Sequence, residues 1–216
     1  LGDGKLLSQL TQKLVINDFR KNDLDNGGQG APLVPIFHKL ISININKEFK
    51  INFPFNIINI GGIANITQIS SEDNFKAYDL GPGNCLIDEW VRKNSYKVFD
   101  ENGLIGKSGK VNDLIFNQAL DNFSDLSLEN SLDVKDFDIS FAKGLSLEDG
   151  CATITKFSAY LIAEGLKKLD EGKNNLKQKY ILCGGGRKNN FLIENMKNFL
   201  SDKEVEFKKI DDYEFD

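Results

Sequence analysis

Three short apolar segments joined by tight turns constrain the fold of this sequence more than any other feature. The first covers residues 55–60 and ends at Gly61-Gly62, and the second, residues 63–69, alternates apolar and polar side chains. Two such runs separated by a two-glycine turn indicate a β-hairpin. A further turn precedes a third segment at 75–79. The sequence therefore predicts three consecutive strands.

A carboxylate ends the third predicted strand. Asp79 comes just before a Gly-Pro-Gly-Asn turn at residues 81–84, and α/β proteins commonly place reactive groups where strands end. Apolar residues at helical spacing then predict a helix from about Cys85, with its N-terminal amides directed at the same place. An ordinary strand-to-helix turn with a solvated aspartate is the alternative interpretation.

The remaining hydrophobic patterns complete an α/β fold in which helices flank a mixed sheet. They predict helices at 6–14, 33–43, 149–169 and 190–200, and strands at 14–16, 180–183 and 205–210. A polar segment at 44–52 is interpreted as the linker between two lobes. The predicted domains are therefore 1–50 and 51–216, the second with a helical insert around 94–150.

Composition narrows the class of protein. The 216 residues are 40% hydrophobic and carry a net charge of -5, and the scattered lysines form no basic stripe, which argues against a nucleic-acid partner. No apolar run approaches the roughly 20 residues that span a bilayer, and no signal peptide is recognisable. We therefore expect a cytoplasmic protein without a membrane partner. Because the sequence starts at Leu1, we also expect a fragment of a longer protein.

The cysteines and the single histidine are expected to be structural. Cys85, Cys151 and Cys183 are widely spaced in apolar contexts, which favours buried free thiols over disulfides or a zinc site. His38 follows an apolar segment and is expected to be packed rather than catalytic. A histidine-based catalytic triad is therefore not expected.

Two glycine-rich turns predict where an anion binds. Gly61-Gly62 occupies the predicted hairpin, and Gly184–Gly186 lies between a predicted strand and helix. Such turns let backbone amides approach an anion, although each is also compatible with a plain turn. Neither fits the Gly-Lys-Ser/Thr phosphate loop or the G-x-G-x-x-G pattern. With Asp79 they predict a nucleotide cleft in which the hairpin holds the phosphates and the triple glycine faces the nucleoside.

Four segments resemble the anhydro-N-acetylmuramic acid kinase family, whose members have an actin-like ATPase (ribonuclease H-like) fold. They lie at 18–38, where a long glycine-rich connection is the kind that usually carries function, and at 59–67, 79–88 and 183–189. The family's Gly-Thr-Ser-Met-Asp-Gly phosphate-binding segment does not occur in the sequence. The resemblance therefore implies the second lobe of this fold plus part of the first.

The resemblance also implies an ATP-dependent kinase of peptidoglycan recycling. It would open the 1,6-anhydro ring of anhydro-N-acetylmuramic acid with water and phosphorylate O6, giving N-acetylmuramic acid 6-phosphate. Asp79 would act as general base on the water. Mg²⁺ is expected to accompany ATP, with ligands that the sequence does not identify. A homodimer is expected because the family is typically dimeric.

The other site residues implied by the resemblance form two groups. The substrate-binding residues are Asp18, Arg20, Asp23, Gly28, Gln29 and Gly30. The nucleotide-binding residues are Asn59, Gly61, Gly62, Asn65, Gly81, Gly83, Asn84, Gly184, Gly185, Gly186 and Asn189. A structural ion pair is the alternative for the charged substrate-binding residues. A nucleotide- or sugar-binding module, or an inactive remnant, is the alternative for the chain, and a test for catalysis separates these alternatives.

Overall fold

A five-stranded sheet lies at the centre of the computed structural model, which describes residues 3–28, 30–123, 131–169 and 178–215. The strands are β1 Phe55–Ile60, β2 Ile63–Ser71, β3 Asn74–Pro82, β4 Gln178–Cys183 and β5 Val205–Lys209, in the order β3-β2-β1-β4-β5. β2 pairs antiparallel with β1 and β3, whereas β4 is parallel to both β1 and β5. This confirms the three consecutive strands and the α/β class, and the strand order agrees with the predicted actin-like fold.

The helices confirm most of the predicted ones. They are α1 Gly4–Thr11, α2 Phe19–Asp25, α3 Pro35–Phe49, α4 Cys85–Asn94, α5 Leu104–Ser108, α6 Asp113–Asp121, α7 Leu147–Leu169 and α8 Asn190–Phe199. Short 3-10 segments cover Glu101–Gly103, Val134–Asp136, Ser140–Ala142, Gly185–Lys188 and Ile210–Tyr213. α5, α6 and the 3-10 segments between α4 and α7 lie in the range that was predicted to be a helical insert, and we use the name insert for them. Within the described ranges, every helix is too short or too polar to cross a membrane.

Side chains alternate between the two faces of the sheet, so each face has its own core. On one face Ile58 and Ile66 pack in a core that includes Trp90 of α4 and residues of α7. On the other face Ile57 packs in a second core with Ile45 of α3. Helices therefore cover both faces, as predicted for a mixed sheet with flanking helices.

The predicted linker at 44–52 is wrong. α3 continues as far as Phe49 and buries Ile45 completely in the core beside the sheet. Most residues of this segment are polar, so its sequence pattern does not reveal the few apolar residues that pack in the core. The chain instead divides into two compact units after Leu33, and the assignment of 1–50 and 51–216 to two lobes stays a prediction.

The strand predicted at 14–16 is also wrong. Leu14 is 91% exposed and Ile16 is 71% exposed, and residues 3–28 contain no strand that could pair with this segment. A three-residue apolar run cannot form a strand without a partner, because its backbone groups are then better solvated as a loop.

Candidate active site

A row of side chains crosses four strands of the sheet. Asp79 on β3 is the cross-strand partner of Asn65 on β2. Asn65 is in turn the partner of Asn59 on β1, which pairs with Cys183 on β4. Paired residues project from the same face of a sheet. The row therefore connects the predicted catalytic aspartate with the strand that leads into the triple glycine.

Asp79 is a buried carboxylate held by the helical insert. It lies within β3, which extends to Pro82, rather than at the end of the strand as we predicted. Its side chain is only 7% exposed, and the backbone N–H of Leu132 donates to Oδ2 at 2.8 Å. Burial raises the pKa of Asp79, and the Leu132 hydrogen bond opposes that rise. A fixed carboxylate of raised basicity suits a general base.

The Gly61-Gly62 turn is bound to the loop that follows β3. Gly83 and Cys85 donate their backbone N–H groups to the Gly62 carbonyl at 2.8 and 3.2 Å, and Asn84 donates to the Gly61 carbonyl at 2.8 Å. A Cβ on Gly83 would lie 2.3 Å from the Gly61 oxygen, so this close approach requires glycine. The amides that we expected to point at Asp79 from the start of α4 instead hold the hairpin.

The triple glycine contains two packed positions and one open position. A Cβ on Gly184 would lie 2.5 Å from Asn59 Oδ1, and one on Gly186 would lie 2.2 Å from Ile60 Cγ2. The nearest atom to a Cβ on Gly185 would be Asn84 Nδ2, at 3.9 Å. Gly184 and Gly186 are therefore needed for packing, whereas Gly185 faces free space.

That space belongs to a pocket of about 320 Å³. The residues that line it are Asn84, Asp88, Val98, Phe99, Asp100, Asn102, Gly185, Lys188 and Asn189. Three of the predicted nucleotide-binding residues are thus brought together: Asn84, Gly185 and Asn189. Small-molecule pockets typically have this size and combine apolar surface with a few polar groups. The sequence reasoning missed Val98 and Phe99, although an apolar pair inside a polar insert is a signal that could have indicated them.

Two carboxylates border this pocket with different environments. Burial raises the pKa of Asp88, the nearby Arg92 opposes that rise and Asp100 adds to it. Asp100 accepts backbone hydrogen bonds from Ile105 at 2.7 Å and Gly106 at 3.0 Å. Asp100 therefore fixes the start of α5, whereas Asp88 is the carboxylate better placed to contact a ligand.

Two of the predicted nucleotide-binding residues, Gly81 and Asn189, also have structural contacts. Gly81 is the partner of Ala64, next to a bulge in the β2–β3 ladder. Asn189 caps α8 by accepting the Leu192 N–H at 2.9 Å. These contacts explain the glycine at 81 and the asparagine at 189. Nucleotide binding by the two residues stays a prediction.

His38 is packed, as predicted. It is 1% exposed, and its Nδ1 lies 2.7 Å from Thr67 Oγ1 while its Nε2 lies 3.5 Å from Cys183 Sγ. Burial lowers the pKa of His38 to about 4 and raises that of Cys183 to about 12. Both groups are therefore neutral near pH 7. All three cysteines are free thiols, and Cys85 and Cys151 are buried.

The predicted substrate-binding residues lie in the unit formed by residues 1–33. Asp23 Oδ2 accepts the Gly30 N–H at 2.7 Å, and the Asp23 carbonyl accepts the Gly28 N–H at 2.8 Å. Asp23 thus shapes the glycine loop. Asp18 starts α2 in a left-handed conformation, with φ 62°. Gln29 lies outside the described residues.

The described residues do not form a cluster of metal ligands. Among the described residues, no three His, Cys, Asp or Glu side chains converge as a metal site would require. The residues present therefore do not form a protein cage for Mg²⁺. Mg²⁺ that accompanies a nucleotide is commonly held through phosphate oxygens and water with one or two carboxylates.

Two curated relatives of this chain carry the same name. Anhydro-N-acetylmuramic acid kinase of Pelagibacter ubique is 50% identical over 220 residues, which are 100% of this chain and 57% of the relative. The enzyme of the same name from Zymomonas mobilis is 40% identical over 191 residues, 88% of this chain and 50% of the relative. The chain thus spans about half the length of these curated relatives.

A solved structure with partial likeness is the activator of the 2-hydroxyisocaproyl-CoA dehydratase from Clostridium difficile with bound ADPNP. It is 17% identical, has a TM-score of 0.44, and matches 79% of this chain and 59% of that one. The model of the family described as "Anhydro-N-acetylmuramic acid kinase" matches residues 1–216. The chain belongs to the anhydro-N-acetylmuramic acid kinase family.

Proposed function

We propose that the intact protein containing this chain is an ATP-dependent kinase for 1,6-anhydro-N-acetylmuramic acid. Water attacks C1 of the sugar, and the C1–O6 bond breaks with its electron pair left on O6. O6 then attacks the γ-phosphorus, and the bond from that phosphorus to the ADP oxygen breaks with its pair left on ADP. One water proton passes to Asp79 and then to solvent. The products are N-acetylmuramic acid 6-phosphate and ADP, which would place the reaction in peptidoglycan recycling.

The environment of Asp79 is the observation that carries this proposal. A carboxylate that is 7% exposed and fixed by one backbone N–H is oriented before substrate binds, and burial raises its pKa. Removing a proton from the attacking water needs a positioned base of this kind. Asp79 also shares a sheet row with Asn59, beside the glycine turns that are proposed to bind ATP.

ATP is proposed to bind along the glycine turns. The nucleoside would enter the pocket of about 320 Å³ at the open face of Gly185, between Asn84, Lys188 and the Val98-Phe99 pair. The phosphates would lie at the Gly61-Gly62 hairpin. Phosphoryl transfer depends mainly on positioning and charge neutralisation, and bound Mg²⁺ would supply charge neutralisation at the phosphates.

The sugar is proposed to contact Asp18, Arg20, Asp23 and the glycine loop at 28–30, as the family resemblance implies. The Asp23 contacts support an ordering role for that residue, because its carboxylate already holds Gly30. A guanidinium such as that of Arg20 suits the carboxylate of the sugar's lactyl group. Homodimer formation and a cytoplasmic location stay predictions.

The decisive experiment is the Asp79→Asn variant of the intact protein. The wild type should form a 6-phosphorylated sugar and ADP from the anhydro sugar and ATP. Asp79→Asn should lose on the order of a hundredfold or more in kcat while it still binds nucleotide. Asp73→Asn is the matched control, since Asp73 is 99% exposed and its loss should leave kcat unchanged. An Asp79→Asn enzyme with the wild-type rate would exclude Asp79 as the base.

A further inference from the structure

Asn65 has a buried oxygen without a hydrogen-bond partner. Its side chain is 8% exposed, and Asn65 Oδ1 accepts no hydrogen bond from the residues that the structure describes. A buried polar atom of this kind costs stability, so native proteins almost always satisfy it with protein, water or ligand. Asn65 Oδ1 therefore needs a hydrogen-bond donor that the described residues do not supply.

Asp79 is the residue that pairs with Asn65 across the β2–β3 ladder. The pair lies next to the bulge in that ladder, and paired side chains project from one face of the sheet. Oδ2 of Asp79 is taken by the Leu132 N–H. No other hydrogen bond to this carboxylate is made within the described ranges. The second Asp79 oxygen and Asn65 Oδ1 are thus two acceptors without a donor on paired residues of one sheet face.

We propose that Asn65 orients the attacking water for Asp79. Two acceptors side by side can bind the two O–H groups of one water molecule, which leaves a water lone pair free to face C1 of the sugar. Asp79 takes the proton when the O–C1 bond forms and the C1–O6 bond breaks, whereas Asn65 only holds the second O–H. Asn65 is therefore a positioning residue for water rather than the nucleotide contact that we predicted. This inference rests on the proposed function.

The geometry also explains why an asparagine suits this position. An aspartate would place a second carboxylate beside Asp79, and two adjacent carboxylates raise the pKa of one of them. A leucine of similar branched shape would remove the acceptor. An asparagine provides a neutral acceptor, so that the water is oriented and the base stays ionised.

Asn65→Leu in the intact protein is the first test. Without its second acceptor the water is misoriented, and we expect kcat to fall roughly 10- to 100-fold, as small misplacements of reacting groups do. KM for ATP and for the sugar should each stay within about twofold. Asn56→Leu is the control, because it makes the same change on β1 where the side chain contacts the Lys179 carbonyl and Gln68. The control should keep the wild-type kcat.

Two further variants distinguish positioning from a general structural effect. Asn65→Asp has nearly the same shape and keeps an oxygen acceptor, so it should retain more of kcat than Asn65→Leu and move the acid limb of the pH–rate profile to higher pH. In an Asp79→Asn background, Asn65→Leu should have little additional effect on kcat, because both residues act on one water.

Several results would overturn the inference. They are an undiminished kcat in Asn65→Leu, a raised KM for ATP with unchanged kcat, fully additive losses in the double variant, or an unmoved acid limb in Asn65→Asp. With an active wild type, these outcomes leave the proposed kinase function intact. A wild type that forms no 6-phosphorylated sugar would instead refute the proposed function, and this inference with it.

Discussion

Arg187 binds both carboxylate oxygens of Asp211. Its Nε donates to Oδ2 at 2.6 Å and its Nη2 donates to Oδ1 at 2.9 Å, while Nη1 donates to the Gly184 carbonyl at 3.0 Å. The Arg187 side chain is 8% exposed, and paired geometry of this kind is among the stronger polar interactions. The pair therefore ties the triple glycine to the 3-10 segment after β5.

This ion pair predicts a pH-dependent contribution to stability. The Arg187 side chain lowers the pKa of Asp211 to about 2, whereas an unfolded aspartate titrates near about 3.9. The contribution is therefore present above about pH 4 and is lost as the pH falls toward about 2. The free energy of unfolding of Asp211→Asn should be lower than that of the wild type at pH 7. The gap between them should narrow at pH 3, as measured by denaturant unfolding, and a gap that widens would contradict the pairing.

The triple glycine offers a matched pair of substitutions. Gly185→Val should fold normally, because its Cβ would meet only Asn84 Nδ2 at 3.9 Å, and should fill the proposed nucleoside pocket. We expect KM for ATP to rise on the order of tenfold, about 1.4 kcal/mol, with the KM for the sugar little changed.

Gly186→Val is the comparison, because its Cβ would lie 2.2 Å from Ile60 Cγ2 and should reduce thermal stability instead. Steady-state kinetics and melting curves on both variants separate the two effects. Equal changes in the KM values for ATP and sugar in a folded Gly185→Val protein would place the nucleoside elsewhere.

Substitution of Leu132 tests whether its backbone N–H helps to set the pKa of Asp79. Leu132→Pro removes the N–H that donates to Asp79 Oδ2, whereas Leu132→Ala keeps it. A hydrogen bond to the charged form lowers a carboxylate pKa, so its removal should raise the pKa of Asp79 further. The acid limb of the pH–rate profile for kcat/KM should move to higher pH in Leu132→Pro only. If both variants share the wild-type profile, the insert does not control this base.

Local sequence patterns predict most of the helices and strands, but they do not predict the long-range contacts between them. The hairpin followed from alternating residues around Gly61-Gly62, and the buried strand β4 followed from an apolar run before Gly184. Nothing in the sequence indicated that Leu132, which lies 53 residues further along, would bind Asp79. Such a contact depends on how the insert packs over the sheet, which hydrophobic periodicity does not encode.

The two errors have a common physical origin. The polar residues of 44–52 favour a linker, although Ile45 is completely buried and Phe49 packs against the same core beside the sheet. The apolar residues 14–16 favour a strand, although a strand also needs a partner for its backbone groups. The composition of a segment predicts its solvent exposure poorly when a few tertiary contacts decide whether it packs in the core.

The buried His38 yields the last prediction, which concerns stability between pH 7 and pH 5. His38 is the only histidine of the chain, and burial lowers its pKa to about 4. An unfolded histidine binds a proton near about pH 6.5. Below that pH the unfolded state therefore holds more protons than the folded state, and His38 lowers the stability of the fold as the pH falls toward about 4.

His38→Gln removes this titration, so the free energy of unfolding of the wild type should fall relative to that of the variant by at most about 1.4 kcal/mol per pH unit, the slope for one proton. Denaturant unfolding of both intact proteins at pH 7, 6 and 5 measures the difference. The variant should be the less stable of the two at pH 7, because Thr67 Oγ1 loses its imidazole partner at 2.7 Å. A difference between the two proteins that is the same at all three pH values would mean that His38 takes up its proton in the folded state as readily as in the unfolded state.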